Sequence, residues 1–160
     1  MNERIIRVAD WAADAGDTVL VTLGLGSCVA LVLYDAVARA GAMAHLMLPS
    51  PALSQDRSRP AKFPGTALPV LLEGLSALGA SRQRLRARLV GGASMFANIS
   101  APGTSSMGER NVVAARDALK AADIPIVGED TGKGHGRSVY LFLPDGRLEV
   151  RSVAHGTHDV

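Results

Sequence analysis

Residues Val29 to Tyr34 form an unbroken apolar run, and this run with its flanks constrains the fold more than any other stretch of the 160-residue chain. A glycine-rich segment, Thr22-Leu23-Gly24-Leu25-Gly26-Ser27-Cys28, leads into it, and Asp35 to Arg39 make a connection out of it. An apolar, partly β-branched run bounded in this way suits a strand buried on both faces, with a short helical turn at Cys28 as the local alternative. Val19 to Leu23 reads as a strand entering the glycine segment. Gly41 to Leu48 reads as the return strand, stopped by Pro49. Their pairing would carry His45 back towards the glycines.

Residues 49 to 64 hold four prolines together with serine and charge, and make the longest loop, of the kind that often serves as a lid or docking segment. Thr66 is placed to cap a helix to about Leu78. That helix would show Leu68, Leu71, Leu72, Leu75 and Leu78 on one face, with Pro69 in its first turn and Gly79 closing it. Arg84 to Leu89 alternates and reads as a strand with one arginine face. Asn111 is placed to cap a second helix to about Ala122. Ile124 to Val127 reads as a short strand, and Val139 to Leu143 and Leu148 to Val153 flank the hairpin signal Pro144-Asp145-Gly146. The tail from 154 to 160 reads as loose. The length suits one domain over residues 1–160. Two main helices and six or seven strands imply an α+β fold, helices packed on one side of a mixed sheet system.

Composition narrows the classes of function. Apolar residues at 48% and charged ones at 20% describe a globular rather than a disordered chain, and a net charge of +2 is too small to argue for nucleic acid. No apolar run reaches membrane-spanning length and no secretory leader is visible, so no membrane insertion is expected. With a single thiol suited to a reducing compartment, the cytoplasm is the expected location.

Cys28 has no disulfide partner within the chain. It is either an inert core thiol or a nucleophile, for which a histidine elsewhere makes it a candidate. The glycines favour a tight loop whose backbone N–H groups, with Gly26 and Ser27 the natural donors, face a developing oxyanion. A thiolate nucleophile would need its pKa lowered, which a neighbouring imidazolium can do. The bland reading of His45 is a hydrogen-bonded core histidine between Met43 and Met47. Ser27 lacks the Gly-x-Ser-x-Gly elbow of a serine nucleophile. His155 and His158 have no ligand cluster beside them, so no metal is expected. The Gly132–Arg137 segment lacks the spacing of a phosphate loop and reads as a turn. The arginines at 82, 84, 86 and 88 read as a solvated strand face.

Six stretches occur in an order and spacing that resemble one family: Thr22 to Ala30, Leu33-Tyr34-Asp35, His45 to Pro49, Gly91 to Phe96, Gly108-Glu109-Arg110-Asn111, and Asp130-Thr131-Gly132 with Gly136-Arg137. They are similar to the chemoreceptor glutamine deamidases called CheD, and the likeness runs from about Thr18 to Val150. The resemblance implies a layered α/β/β sandwich that hydrolyses glutamine side chains of methyl-accepting chemotaxis receptors to glutamate, without cofactor or metal. It implies Cys28 as nucleophile, His45 as general base and acid, and Thr22, through its hydroxyl or its backbone carbonyl, as the group that orients the histidine. Some members bind a CheC-like phosphatase, so a non-catalytic adaptor for such a partner is the alternative. A protein acting on receptor helices needs a rim that accepts a helix. Arg57, Arg59 and Lys62 of the proline-rich loop, with Gly132 and Arg137, are the expected rim residues.

Overall fold

The computed structural model describes residues 1–94 and 105–160. The expected motif residues Met95 and Phe96 therefore lie outside the described residues. Two five-stranded mixed sheets stack on each other, and two helices cover the outer face of one, which gives the α/β/β layering. The outer sheet runs β1 (Asn2–Ile5), β3 (Thr18–Leu25), β8 (Arg137–Phe142), β9 (Arg147–Ser152), β10 (Gly156–Asp159). The central sheet runs β2 (Trp11–Ala15), β5 (Ala40–Leu46), β4 (Val29–Asp35), β6 (Arg86–Gly91), β7 (Ile126–Thr131). Among the described residues, only β1 with β3 and β6 with β7 pair in parallel.

The apolar run becomes β4, the middle strand of the central sheet. Val29, Leu31 and Leu33 pack towards α1 (Pro64–Ala77) and α2 (Met107–Ala121), while Ala30, Val32 and Tyr34 pack into the space between the sheets. A strand with apolar partners on both sides shows continuous rather than alternating hydrophobicity. Asp35 ends it. Burial alone would raise this carboxyl, but Arg84 and the amides of Ser81, Ala38 and Val37 donate to it and hold it well below the usual carboxylate range.

Several local expectations are corrected. Thr66 does not cap α1, which begins at Pro64; its hydroxyl donates to the carbonyls of Pro60 and Phe63. Pro69 lies inside α1, where its missing N–H falls opposite the exposed Gly65, whose carbonyl can turn to water. Ser106, not Asn111, caps α2 by accepting from the Glu109 amide, and Asn111 is buried in the second turn. The arginine face is a solvated strand only in part: Arg82, Arg84 and Arg86 are exposed, but the strand begins at Arg86 and Arg88 is half-buried. Arg82 to Arg84 form a 3-10 turn, Arg84 pairs with Asp35, and Arg88 donates to the carbonyls of Gly146 and Val160. Residues 156 to 159, expected loose, form β10 against β9, and His158 reaches Asp130 at 2.8 Å. The N-terminal strands β1 and β2 had no counterpart in the sequence reading. Among the described residues, no helix is long and apolar enough to cross a membrane.

Candidate active site

Thr22 lies on β3 of the outer sheet and His45 on β5 of the central sheet, and the two side chains meet between the layers. Both are buried, at 0% and 1% exposure. Thr22 Oγ1 stands 2.7 Å from the Ile6 carbonyl and 2.7 Å from His45 Nδ1. A carbonyl can only accept, so the single hydroxyl proton goes to Ile6. The hydroxyl oxygen must then accept from His45, which fixes the proton of the neutral ring on Nδ1. Nε2 is left as a bare lone pair, buried and with no hydrogen-bond partner among the described residues. The hydroxyl rather than the backbone carbonyl of Thr22 therefore meets the ring. The chain crossing from β1 to β2 braces both strands: Ile6 N donates to Val21 O, Ala9 N to His45 O, and His45 N to Asp10 O.

Cys28 immediately precedes β4, at the end of the glycine segment. Ala30 pairs with His45 across β4 and β5. Cys28 is two residues earlier and so shares its face, one diagonal step from the histidine, a spacing of about 7–8 Å that longer side chains bridge. It is partly exposed, whereas His45 is not. The loop is pinned through its carbonyls. Gly26 O accepts from Ala93 N at 2.8 Å, Cys28 O from Gly92 N at 2.9 Å, and Ser27 O from Asn111 Nδ2 at 2.9 Å. Gly91 has φ +111°, and a Cβ there would strike the Cys28 carbonyl, so only glycine lets β6 approach this closely. Among the described residues, the amides of Ser27 and Cys28 have no protein acceptor outside the strand ladders.

Burial sets the resting charges. Desolvation pushes the Cys28 thiol up and the His45 imidazole down to about 4. Both shifts favour a neutral thiol beside a neutral base over the expected thiolate–imidazolium pair. Such a neutral pair can move a proton from sulfur to Nε2 as attack proceeds, which is general-base rather than ion-pair activation.

The expected rim residues divide. Arg57 and Arg59 are exposed, but Arg57 Nε donates to the carbonyls of Pro51 and Ser54, and Lys62 Nζ donates to Ser54 Oγ at 2.8 Å, so both shape their own loop. Among the described residues, Arg59 makes only a long 3.5 Å contact to Val8 O. Gly132 lies at a turn, with φ +78°. Arg137 is not on a rim: it is 2% exposed, and Nη1 donates to Gly132 O at 2.9 Å. Its Nη2 lies 3.2 Å from Asp130 without the alignment of a hydrogen bond, and Nε has no partner among the described residues. It holds the 132–137 loop from beneath. The sequence reading missed the Ile6 carbonyl, the Gly92–Ala93 amides and the inward aim of Asn111. The Gly108-x-x-Asn111 spacing, which places both residues on one helix face, was the available signal.

Comparison with known proteins points to one family. Residues 47–152 match the family described as CheD chemotactic sensory transduction. A protein of Caldanaerobacter subterraneus named a probable chemoreceptor glutamine deamidase CheD is 41% identical over 98% of both chains. A Thermotoga maritima protein named chemoreceptor glutamine deamidase CheD is 42% identical over 96% of this chain and 94% of its own. Among solved structures, a Neisseria meningitidis protein of family DUF152 shares the fold, with a TM-score of 0.52 and 14% identity over 91% of this chain and 71% of that one. On the matched segment and the near full-length identities, this chain belongs to the CheD family.

Proposed function

We propose that this protein is a cysteine-dependent deamidase that converts glutamine side chains of chemoreceptors to glutamate. The observation that carries the reading is the bare, buried Nε2 of His45, fixed by the Thr22 hydroxyl on the same face as the only thiol. Cys28 Sγ attacks the carboxamide carbon while its proton passes to Nε2. The new oxyanion is held by the amides of Ser27 and Cys28, on the loop that Gly26 opens. The C–N bond then breaks, the nitrogen takes the proton from Nε2, and ammonia leaves a thioester. Water attacks this thioester, giving its proton to Nε2. The C–S bond breaks to yield glutamate, and Nε2 returns a proton to sulfur. No step calls on a cofactor or metal.

A receptor glutamine is presented on a helix, so remote contacts supply much of the orientation, and free glutamine is a poor substrate. The Ser50–Pro64 loop, with Arg57, Arg59, Lys62 and the nearby exposed Met47 and Leu53, is the proposed docking edge, joined by the loop at Gly132. Its basic charge makes the rate fall with salt. The free thiol suits action in the cytoplasm. The test follows the glutamine-to-glutamate mass change in receptor peptides with the wild type and with Cys28→Ala. Deamidation that persists in the variant overturns the cysteine mechanism, and a wild type that does not deamidate leaves the adaptor alternative standing.

A further inference from the structure

We infer that Asn111 is a positioning residue for the oxyanion site, acting through the Ser27–Cys28 peptide; the inference rests on the reading of Cys28 as the nucleophile. Asn111 is 0% exposed and projects from the second turn of α2. Its Nδ2 donates to Ser27 O at 2.9 Å and to Met47 O at 3.1 Å. Both partners are carbonyls that can only accept, so the carboxamide orientation is determined and both amide protons are spent. Oδ1 is buried and bonded to nothing among the described residues. A side chain that leaves its own acceptor unsatisfied in order to place two donors is held there by those donors.

The two carbonyls belong to the two halves of the site. Ser27 O is part of the peptide plane that ends in the Cys28 N–H, and Met47 stands two residues beyond His45. In a trans peptide the C=O and the following N–H point in opposite directions. Fixing the Ser27 carbonyl on Asn111 thus aims the Cys28 amide, which has no acceptor in the loops and turns among the described residues, away from α2, as a preset donor beside its own sulfur. The same side chain ties the exit of β5 to the nucleophile loop. Gly108, three residues earlier on the same helix face, makes this depth possible, because a Cβ there would collide with the carbonyls of Gly92 and Ala93.

The discriminating experiment compares two reactions of the same thiol. Amide hydrolysis uses the oxyanion donor, whereas alkylation by iodoacetamide displaces iodide at a saturated carbon and forms no oxyanion. Asn111→Leu should lower kcat for receptor-peptide deamidation roughly tenfold to hundredfold, less than the 10²–10³ expected when an oxyanion donor is removed outright. KM and the alkylation rate of Cys28 should stay within about threefold, a window far smaller than that loss. Asn111→Ser, small enough for any space the asparagine leaves and keeping one donor, should lose less, and it carries the test alone if the leucine variant does not fold. Unchanged kcat overturns the inference. So does a parallel fall in deamidation and alkylation, which would mean that the loop had lost its shape. Failure of the cysteine mechanism itself would appear separately, as activity retained in Cys28→Ala.

Discussion

Thr22→Val tests the core of the site, because it removes one oxygen that serves two buried groups. Valine nearly matches threonine in volume, so the cost comes from polar groups left alone. The Ile6 carbonyl and the His45 Nδ1–H each lose their partner at 2.7 Å. A buried group stranded in this way costs about 1–3 kcal/mol, so the pair costs at least about 2 kcal/mol. In a chain of this size, a loss of about 2 kcal/mol lowers Tm by roughly 4–8 °C. The variant also releases the imidazole proton from Nδ1. Some rings then carry it on Nε2, where they cannot act as base, and a net preference of about 1.4 kcal/mol for that tautomer leaves about a tenth of the rings competent, a tenfold fall in kcat. Nitrogen-15 NMR of the histidine ring near neutral pH reads the tautomer directly, and thermal melting reads the stability. Thr22→Ser, which keeps the hydroxyl, should retain the tautomer and most of the activity. A wild-type ring protonated on Nε2 would refute the argument. So would a valine variant with unchanged Tm and kcat.

The other predictions follow from the charge states. Cys28 should react with iodoacetamide at neutral pH more slowly than a free thiol, and its rate should climb above pH 9, with little change in His45→Ala; a midpoint below the free-thiol range would instead establish a thiolate at rest. His45 has a folded pKa of about 4 against about 6.5 unfolded, so the unfolded chain binds the proton first. Stability should therefore be full above about pH 6.5 and fall as the pH drops towards 4, and urea midpoints should show this slope in the wild type and lose it in His45→Gln.

What could be read from the sequence was what leaves a local trace. The double-sided burial of β4 is written in six consecutive apolar residues, and the return of His45 follows from a short connection and Pro49. The PDG hairpin is a local signal too. By contrast, β1 and β10 consist of exposed residues, most of them polar, and are held by backbone pairing, so neither alternation nor apolarity marks them. Asn111 was read as a cap because asparagine commonly caps helices, yet its partners lie 84 and 64 residues away in the chain. The same limit applies to Arg137, whose buried guanidinium looked like surface charge. Pairing Cys28 with His45 was legible from motif and order. The sign of the thiol's shift was not, since it depends on how far the fold removes water from both groups.

Thr22 and His45 sit on different sheets, and the hydrogen bond between them crosses the gap that Val32, Met43 and Leu141 fill. On the proposed mechanism, catalytic alignment is therefore a vernier on how the two sheets seat against each other. A hydrogen bond tolerates only a few tenths of an ångström of slip, while the apolar filling between the layers can creep further before it gives way. Removing two methyl groups from that interlayer, as in Val32→Ala, alters neither partner of that bond. It would detune the enzyme while the chain still melts cooperatively, so the tolerance of this interior to drift is set by chemistry before it is set by folding.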